Sequence, residues 1–303
     1  MTALAQFFDS DVFYSFRRSP VAIISALVAL LCLVAAAFAP VLAPYDVFDL
    51  ASLSLLDSFK PPAFMAEGAR DHLLGTDDQG RDLLSAIMYG MRISLTVWLL
   101  AIVFALTVGV TVGLVAGYLG GVVDSLLMRI VDVQLTFPAI LIALLVDGVL
   151  RAVLPRDLHN RAELYVLVFA IGIAQWPQFA RTVRGSTMVE RGREYVMAAR
   201  VIGVSSGRIM VSHILPNVLG PVLVIATLNL GLAVLNEATL SFLGVGLPPT
   251  QPSLGTLIRI GNDFLFSGEW WVTLFPGVTL AMMVLSINLL GDWLRDALNP
   301  RLR

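Results

Sequence analysis

Two long stretches of this chain carry no charge at all: Val21 to Tyr45, and everything between Arg92 and Asp124. Each is longer than the roughly 20 apolar residues a helix needs to cross the hydrocarbon core of a bilayer. The rest of the chain agrees. Only 14% of the 303 residues are charged and mean hydropathy is +0.84, where a soluble domain carries about a quarter charged residues. The chain reads as an all-α integral membrane protein.

Four further spans are expected at Met128–Leu150, Leu164–Ala180, Val218–Asn236 and Val272–Leu290, giving six transmembrane helices. Ser19-Pro20 supply a cap and a first helical position for the first span. Ala37-Phe38-Ala39 resembles a signal-peptide cleavage site, but the apolar run is long for a signal, so an uncleaved span is expected. Between the first two spans lies a polar insertion, residues 46–92. There Thr76 and Gln79 fit a capping box, which predicts a helix beginning near Asp77. Its acidic cluster lacks the alternating ligands and central glycine of a calcium loop.

Several chemistries are excluded. The single cysteine, Cys32, allows no internal disulfide and no cysteine metal cluster. His72, His159 and His213 form no His-x-x-x-His pair, so no metal site is expected. The lone lysine, Lys60, follows Phe59, so no G-x-x-x-x-G-K-[ST] phosphate loop exists. If ATP drives this protein, another chain hydrolyses it, and no cofactor is expected here. An intramembrane enzyme would need a nucleophile and a base, and His213 has no evident partner.

Ala101, Ala105, Gly109, Gly113, Gly117 and Gly121 recur every fourth residue and leave one helix face without bulk. Such a stripe lets a second helix approach closely where lipid supplies no hydrophobic drive. Packing within the chain is expected, with an interface to another subunit as the other use. Gly117 to Gly121 should also turn the chain. Asp132, at mid-bilayer, would cost about 2.5–3.5 kcal/mol. It is therefore expected near an end, paired with a neighbour such as Arg129, or facing a watery path. Asp132, Gln134, Asn229, Asn236 and Glu237 are the candidate polar lining of a substrate path, with hydrogen bonds between helices as the duller use of the asparagines.

The arginine-rich run from Glu190 to Asn217 lies between two apolar segments. Glu194 to Ile202 is expected as a short helix with Tyr195, Ala198, Ala199 and Ile202 on one side. Gly203 ends it, Ser205 or Ser206 caps a second, and Pro216 marks the passage into the next span. Two short helices at an elbow make a docking surface. The spacing Ala199-x-x-x-Gly203-x-Ser205 also fits a helix-turn-helix. A DNA reader tethered between two spans in a chain of net charge -2 is disfavoured, and no nucleic-acid partner is expected.

Glu194, Ala198, Ala199, Gly203, Arg208, Ile209 and His213-Ile-Leu-Pro-Asn217 resemble the EAA loop of bacterial ABC-importer permeases. The nearest likeness is the C-type subunit of dipeptide and oligopeptide importers. Gly75-Thr-Asp-Asp-Gln-Gly-Arg-Asp82, Met128-Arg129 with Asp132 and Pro138, and Glu237 to Gly246 are similar to further motifs of that family, as is Gly291-Asp-Trp-Leu-Arg-Asp-Ala-Leu-Asn-Pro-Arg301. Leu254 stands where the family usually has Trp, and Asn299 where it has aspartate. The resemblance implies a type I ABC importer permease fold with a periplasmic insertion after the first span. Residues 1–20 would be a cytoplasmic segment, 21–45 the first span, 46–92 the insertion, 93–292 a five-span core with a coupling loop at 183–216, and 293–303 a cytoplasmic tail. It implies as partners a homologous B-type permease, two ABC ATPase subunits that bind ATP and Mg, a periplasmic substrate-binding protein, and membrane lipid. Within the loop, Glu194 would cap and make polar contacts, and Tyr195 and Pro216 would belong to the same ATPase-coupling set. Ala198 and Ala199 would approach the ATPase groove, Gly203 would form the elbow, and Arg200 and Arg208 would reach carboxylates. An ion-coupled secondary transporter is the other class weighed. It would want matched halves with midplane acids, and no inverted repeat is evident.

Placing both termini in the cytoplasm puts 12 of the 20 basic residues inside with 8 acidic ones, for +4, and leaves -6 outside. That excess of arginine obeys the positive-inside rule and sets the elbow in the cytoplasm. The expected location is the bacterial inner membrane, multi-pass. Which small solute or peptide is carried stays open in the sequence.

Overall fold

The computed structural model describes residues 11–48, 53, 55–66, 68, 70–248 and 250–298. They are helical: α1 Asp11–Arg18, α2 Pro20–Ala37, α3 Ala39–Leu42, α4 Leu83–Leu119, α5 Gly121–Leu135, α6 Ala139–Val153, α7 Arg156–Arg191, α8 Glu194–Val201, α9 Ser206–Arg208, α10 Leu215–Phe242, α11 Leu254–Phe264 and α12 Trp270–Leu298. No strand occurs among the described residues, only a lone bridge between Thr76 and Asp82. The last residues of the tail motif, Asn299 to Arg301, lie outside the described set, as do the first ten residues.

Pro20–Ala37, Leu83–Leu119, Ile225–Phe242 and Trp270–Ala297 are each long and apolar enough to cross a membrane. A fifth span results if α5 and α6 are counted as one, but they meet at 95°. The run Met128–Leu150 is therefore not the straight span expected from sequence. Pro138 is the reason: it takes the N-cap position of α6 and disfavours helical backbone at the residue before it. The Leu164–Ala180 run is part of α7, which contains Gln175, Pro177 and Gln178 and does not count among the apolar spans.

The described chain divides into two compact units. One comprises the residues up to Trp98, residues 155–167, and those from Leu230 on. Its core joins Cys32 and Ala36 of α2, Leu83 and Ile87 of α4, Val234 of α10, Leu254 and Leu257 of α11, and Trp271 and Met283 of α12. Ser19 caps α2 through a 3.2 Å bond from the Ala22 N–H, with Pro20 next in line. Leu254 is fully buried there, so the smaller side chain fits this core. Trp271 is buried as well and donates from Nε1 to the Thr76 carbonyl at 3.2 Å.

The helix expected from Asp77 begins at Leu83 instead. Asp77 turns its carboxylate onto the N–H groups of Gln79 and Arg81 at 3.0 and 2.9 Å, closing a tight turn that competes with a helix. Its other oxygen holds Arg81 Nε at 2.6 Å, deep in the unit. Thr76, the expected cap, donates to the Asp57 carbonyl and accepts from the Lys60 N–H. The cap of α4 is Asp82, whose Oδ2 accepts from the Ser85 N–H at 2.9 Å.

The second unit holds residues 99–154 and 168–229. Here the later part of α4 lies along α7 with the small-residue stripe between them. A Cβ on Gly109, Gly113 or Gly117 would stand 2.6–2.7 Å from the Cβ atoms of Phe179, Val183 or Thr187. The three contacts recur every fourth residue on both helices, as close packing of two helices requires. Gly120 and Gly121, with φ of 68° and 55°, turn the chain from α4 into α5.

Candidate functional site

The elbow forms where α7 ends at Arg191 and α8 starts at Glu194. Gly203 adopts φ +81°. Around it the Val204 N–H bonds the Ala199 carbonyl and the Gly203 N–H bonds that of Arg200, both at 3.0 Å. This is a Schellman ending, which needs the left-handed residue that glycine supplies at least cost. Beyond it, Ser205 occupies an N-cap position without a side-chain cap bond. The expected second short helix is not separate. Ser206–Arg208 passes through a π-helical turn, Ile209–Ile214, straight into α10. Pro216, within the first turn of α10, has no N–H to give the Ser212 carbonyl, so the hydrogen-bond ladder must shift there.

Val196 and Ala199 are the buried residues of α8. They pack with Leu114 and Tyr118 of α4, Val183 of α7, and Ile209, Ile214 and Val218 after the elbow. The expected single face of Tyr195, Ala198, Ala199 and Ile202 is thus divided. Ala199 faces this internal core, while Tyr195, Ala198 and Ile202 are exposed. Val201 and Ile202 stand 87% and 79% exposed at the tip. A folded chain seldom leaves two adjacent large aliphatics so bare without a partner or apolar surroundings.

Polar ties hold the elbow to the helices behind it. Arg191 Nη1 donates to the Tyr118 carbonyl at 3.0 Å. The guanidinium of Arg200 lies 4.9 Å over the Tyr118 ring, a cation–π contact. The Tyr195 hydroxyl donates to Glu190 at 2.7 Å and accepts from Asn217 Nδ2 at 3.1 Å. Desolvation first, and then the Glu190 carboxylate, hold that phenol above its ordinary pKa. Glu194 does not cap: Arg193 takes the cap position, and Glu194 lies exposed in the first turn, where its charge suits the helix N-terminus. Arg208 is exposed at the end of α9.

The polar residues expected along a substrate path do different things. Asp132 pairs with Arg181 rather than Arg129. Gln134 donates to the Ile173 carbonyl and accepts from Trp176 Nε1, so it ties α5 to α7. It also lines a mainly apolar cleft of about 530 Å³ with Arg129, Val133, Phe137 and Leu141 at the α5–α6 bend. Asn229 is buried, Asn236 half-buried and Glu237 fully buried. Sequence reasoning missed the pair Asp124–Arg184 and the Arg191 bond to Tyr118. Their partners lie 60 and 73 residues apart, and no local spacing signals them.

Residues 109–303 match the family described as binding-protein-dependent transport system inner membrane component, and residues 8–62 match the N-terminal TM domain of oligopeptide transport permease C. The dipeptide transport system permease protein DppC of Escherichia coli K12 is 42% identical over 100% of this chain and 95% of its own length. The di/tripeptide transport system permease protein DppC of Pseudomonas aeruginosa is 38% identical over 97% of this chain and 92% of its own. Among solved structures, a chain of the MetNI methionine ABC transporter, in an inward-facing conformation, superposes with a TM-score of 0.56 at 19% identity. The match covers 71% of this chain and 96% of that one and speaks to the fold alone. This chain belongs to the inner-membrane components of binding-protein-dependent transport systems, as a permease subunit of an ABC importer.

Proposed function

We propose that this permease carries dipeptides or short oligopeptides and forms one half of their path, the other half being a homologous B-type permease. Two ATPase subunits, holding ATP and Mg, would drive it from the cytoplasm, and a periplasmic binding protein would deliver cargo. The peptide cargo follows the relatives' names and the identity of 42% over the full chain. In this reading six spans cross the inner membrane with both termini inside, α7 supplying the one less apolar than the rest. Residues 46–92 and α11 then lie on the outer side, and residues 183–216 on the inner.

The observation that carries the mechanism is the elbow: an exposed apolar tip, Val201 and Ile202, on a helix whose other face is fixed into the core of its unit. An ATPase groove that closes on this tip pushes on α7 and α10 together, because Val196 and Ala199 pack between them. Such a push changes access only if the ATPases bind the two conformations with different affinity.

The test is uptake of a labelled dipeptide by liposomes holding the complete complex with its binding protein. Uptake should require ATP at the ATPase side and persist when ionophores collapse every ion gradient. Transport by this chain alone, or transport that ends with the gradient, refutes the reading.

A further inference from the structure

Glu237 has no part in the elbow, yet its side chain is fully buried. It lies on α10 one turn before Ser241, whose hydroxyl donates to Oε1 at 2.8 Å. Ser94 of α4 and Ser253, the N-cap of α11, present hydroxyls to the same carboxyl, though neither closes a regular bond on Oε2. Both serines also hold the start of α11. Ser94 Oγ accepts from the Leu254 N–H at 3.4 Å, and Ser253 Oγ from the Thr256 N–H at 3.3 Å. Gly255 lets that helix rest directly on α10, since a Cβ there would stand 2.3 Å from the Ala238 carbonyl oxygen.

Three helices thus meet at one buried carboxyl. A leucine would fill similar space without leaving a polar atom short of partners, which costs stability in a buried site. The chain keeps the acid where α11 rests on α10, next to the close approach of Gly255 to Ala238 and after a loop containing Gly244, at φ +81°, and Gly246. α10 itself continues from the π-turn that ends the elbow.

We propose that Glu237 is a positioning residue: its carboxyl fixes the start of α11 to α4 and α10, so that α11 follows α10 when the transport cycle moves it. The proposal rests on the importer reading above. Without the tie, α11 would be held to α10 by apolar packing alone and would lag behind it, and ATP would be hydrolysed with less cargo moved.

The test measures cargo transported per ATP hydrolysed by the complete reconstituted complex. Glu237→Gln, which keeps a planar polar head of the same length, should stay within about twofold of the unsubstituted complex. Glu237→Leu should assemble and hydrolyse ATP at the ordinary basal rate, with cargo per ATP down about fivefold or more. A Leu variant that couples normally, or a Gln variant as uncoupled as the Leu, overturns the proposal. Should the Leu variant fail to assemble, Ser94→Ala removes the acceptor of the Leu254 N–H and leaves the carboxyl in place. It should lower the ratio about threefold, and an unchanged ratio overturns the proposal equally. ATP-driven uptake by the unsubstituted complex is the control that separates the two ideas. Its absence sinks the importer reading, while its presence beside a normally coupled Leu variant sinks the role of Glu237 alone.

Discussion

Arg184 and Asp124 meet fork to fork, Nε to Oδ1 at 2.9 Å and Nη2 to Oδ2 at 2.7 Å, joining α7 to the first turn of α5. The planar guanidinium matches a carboxylate in this way and lysine cannot. The acid also sits at a helix N-terminus, where negative charge is favoured. The pair therefore sets where α5 leaves the glycine turn at Gly120 and Gly121. Arg184→Lys should lose one of the two bonds and destabilise the purified protein by about 1 kcal/mol. Arg184→Ala combined with Asp124→Ala should cost less than the sum of the single changes. Additive losses in that cycle, read from denaturation midpoints, would show that the two side chains do not interact.

The close approach of α4 to α7 predicts a sharp contrast between two helical glycines. A Cβ on Gly113 would lie 2.6 Å from both the Ala180 carbonyl oxygen and Val183 Cβ, whereas one on Gly148 meets nothing within 4 Å. Gly113→Ala must therefore push the helices apart, at about 1–3 kcal/mol. Gly148→Ala should be neutral or slightly stabilising, since alanine favours the helix. Thermal midpoints of the two detergent-solubilised variants decide it, and equal midpoints would contradict the packing described.

The same contacts explain what a reader of the sequence can see. Gly109, Gly113 and Gly117 are spaced four apart, and that local period announces a helix face ready for a neighbour. Gly203 announces the end of α8 because a left-handed residue is a property of one position. Pairing between distant residues leaves no such mark. Nothing near Asp132 selects Arg181 over Arg129, and nothing near Thr76 says that its hydroxyl will serve Asp57 and Lys60 instead of a helix. The division of α8 is illegible for a related reason. Tyr195, Ala198, Ala199 and Ile202 share helical spacing, but which face turns inward is decided by Leu114, Tyr118 and Val183, far away in the chain.

Asp78 gives a pH dependence outside the spans. Desolvation, and next the charge of Asp77, hold its carboxyl above the usual range, with Arg81 opposing. A carboxyl whose pKa is raised by folding contributes stability while it is protonated, below its unfolded pKa, and that contribution is lost as pH rises through the folded value. Near neutrality the ionised group is therefore a burden. Asp78→Asn should raise the thermal midpoint at pH 7 and leave it unchanged in strong acid. A midpoint that falls at pH 7 would mean that the Arg81 guanidinium, 3.9 Å away, outweighs burial.

The elbow itself is tested at Gly203. Its surroundings are open, with no atom within 4 Å of the point a Cβ would occupy, so any effect of substitution comes from the backbone and not from crowding. At φ +81° a β-branched residue is strained by about 1–2 kcal/mol. The chain can relieve that strain by giving up the two bonds that Val204 and Gly203 make to the end of α8. Gly203→Val should therefore leave insertion and complex yield intact, because the spans are untouched, and abolish most dipeptide uptake by releasing the tip at Val201 and Ile202. Gly203→Asn, which tolerates the left-handed region, should retain most of it. Gly207 also has open space, without a positive φ, so Gly207→Val tests bulk alone and should transport normally. Uptake in the Gly203→Val complex equal to that of Gly207→Val would mean that the elbow does not transmit force.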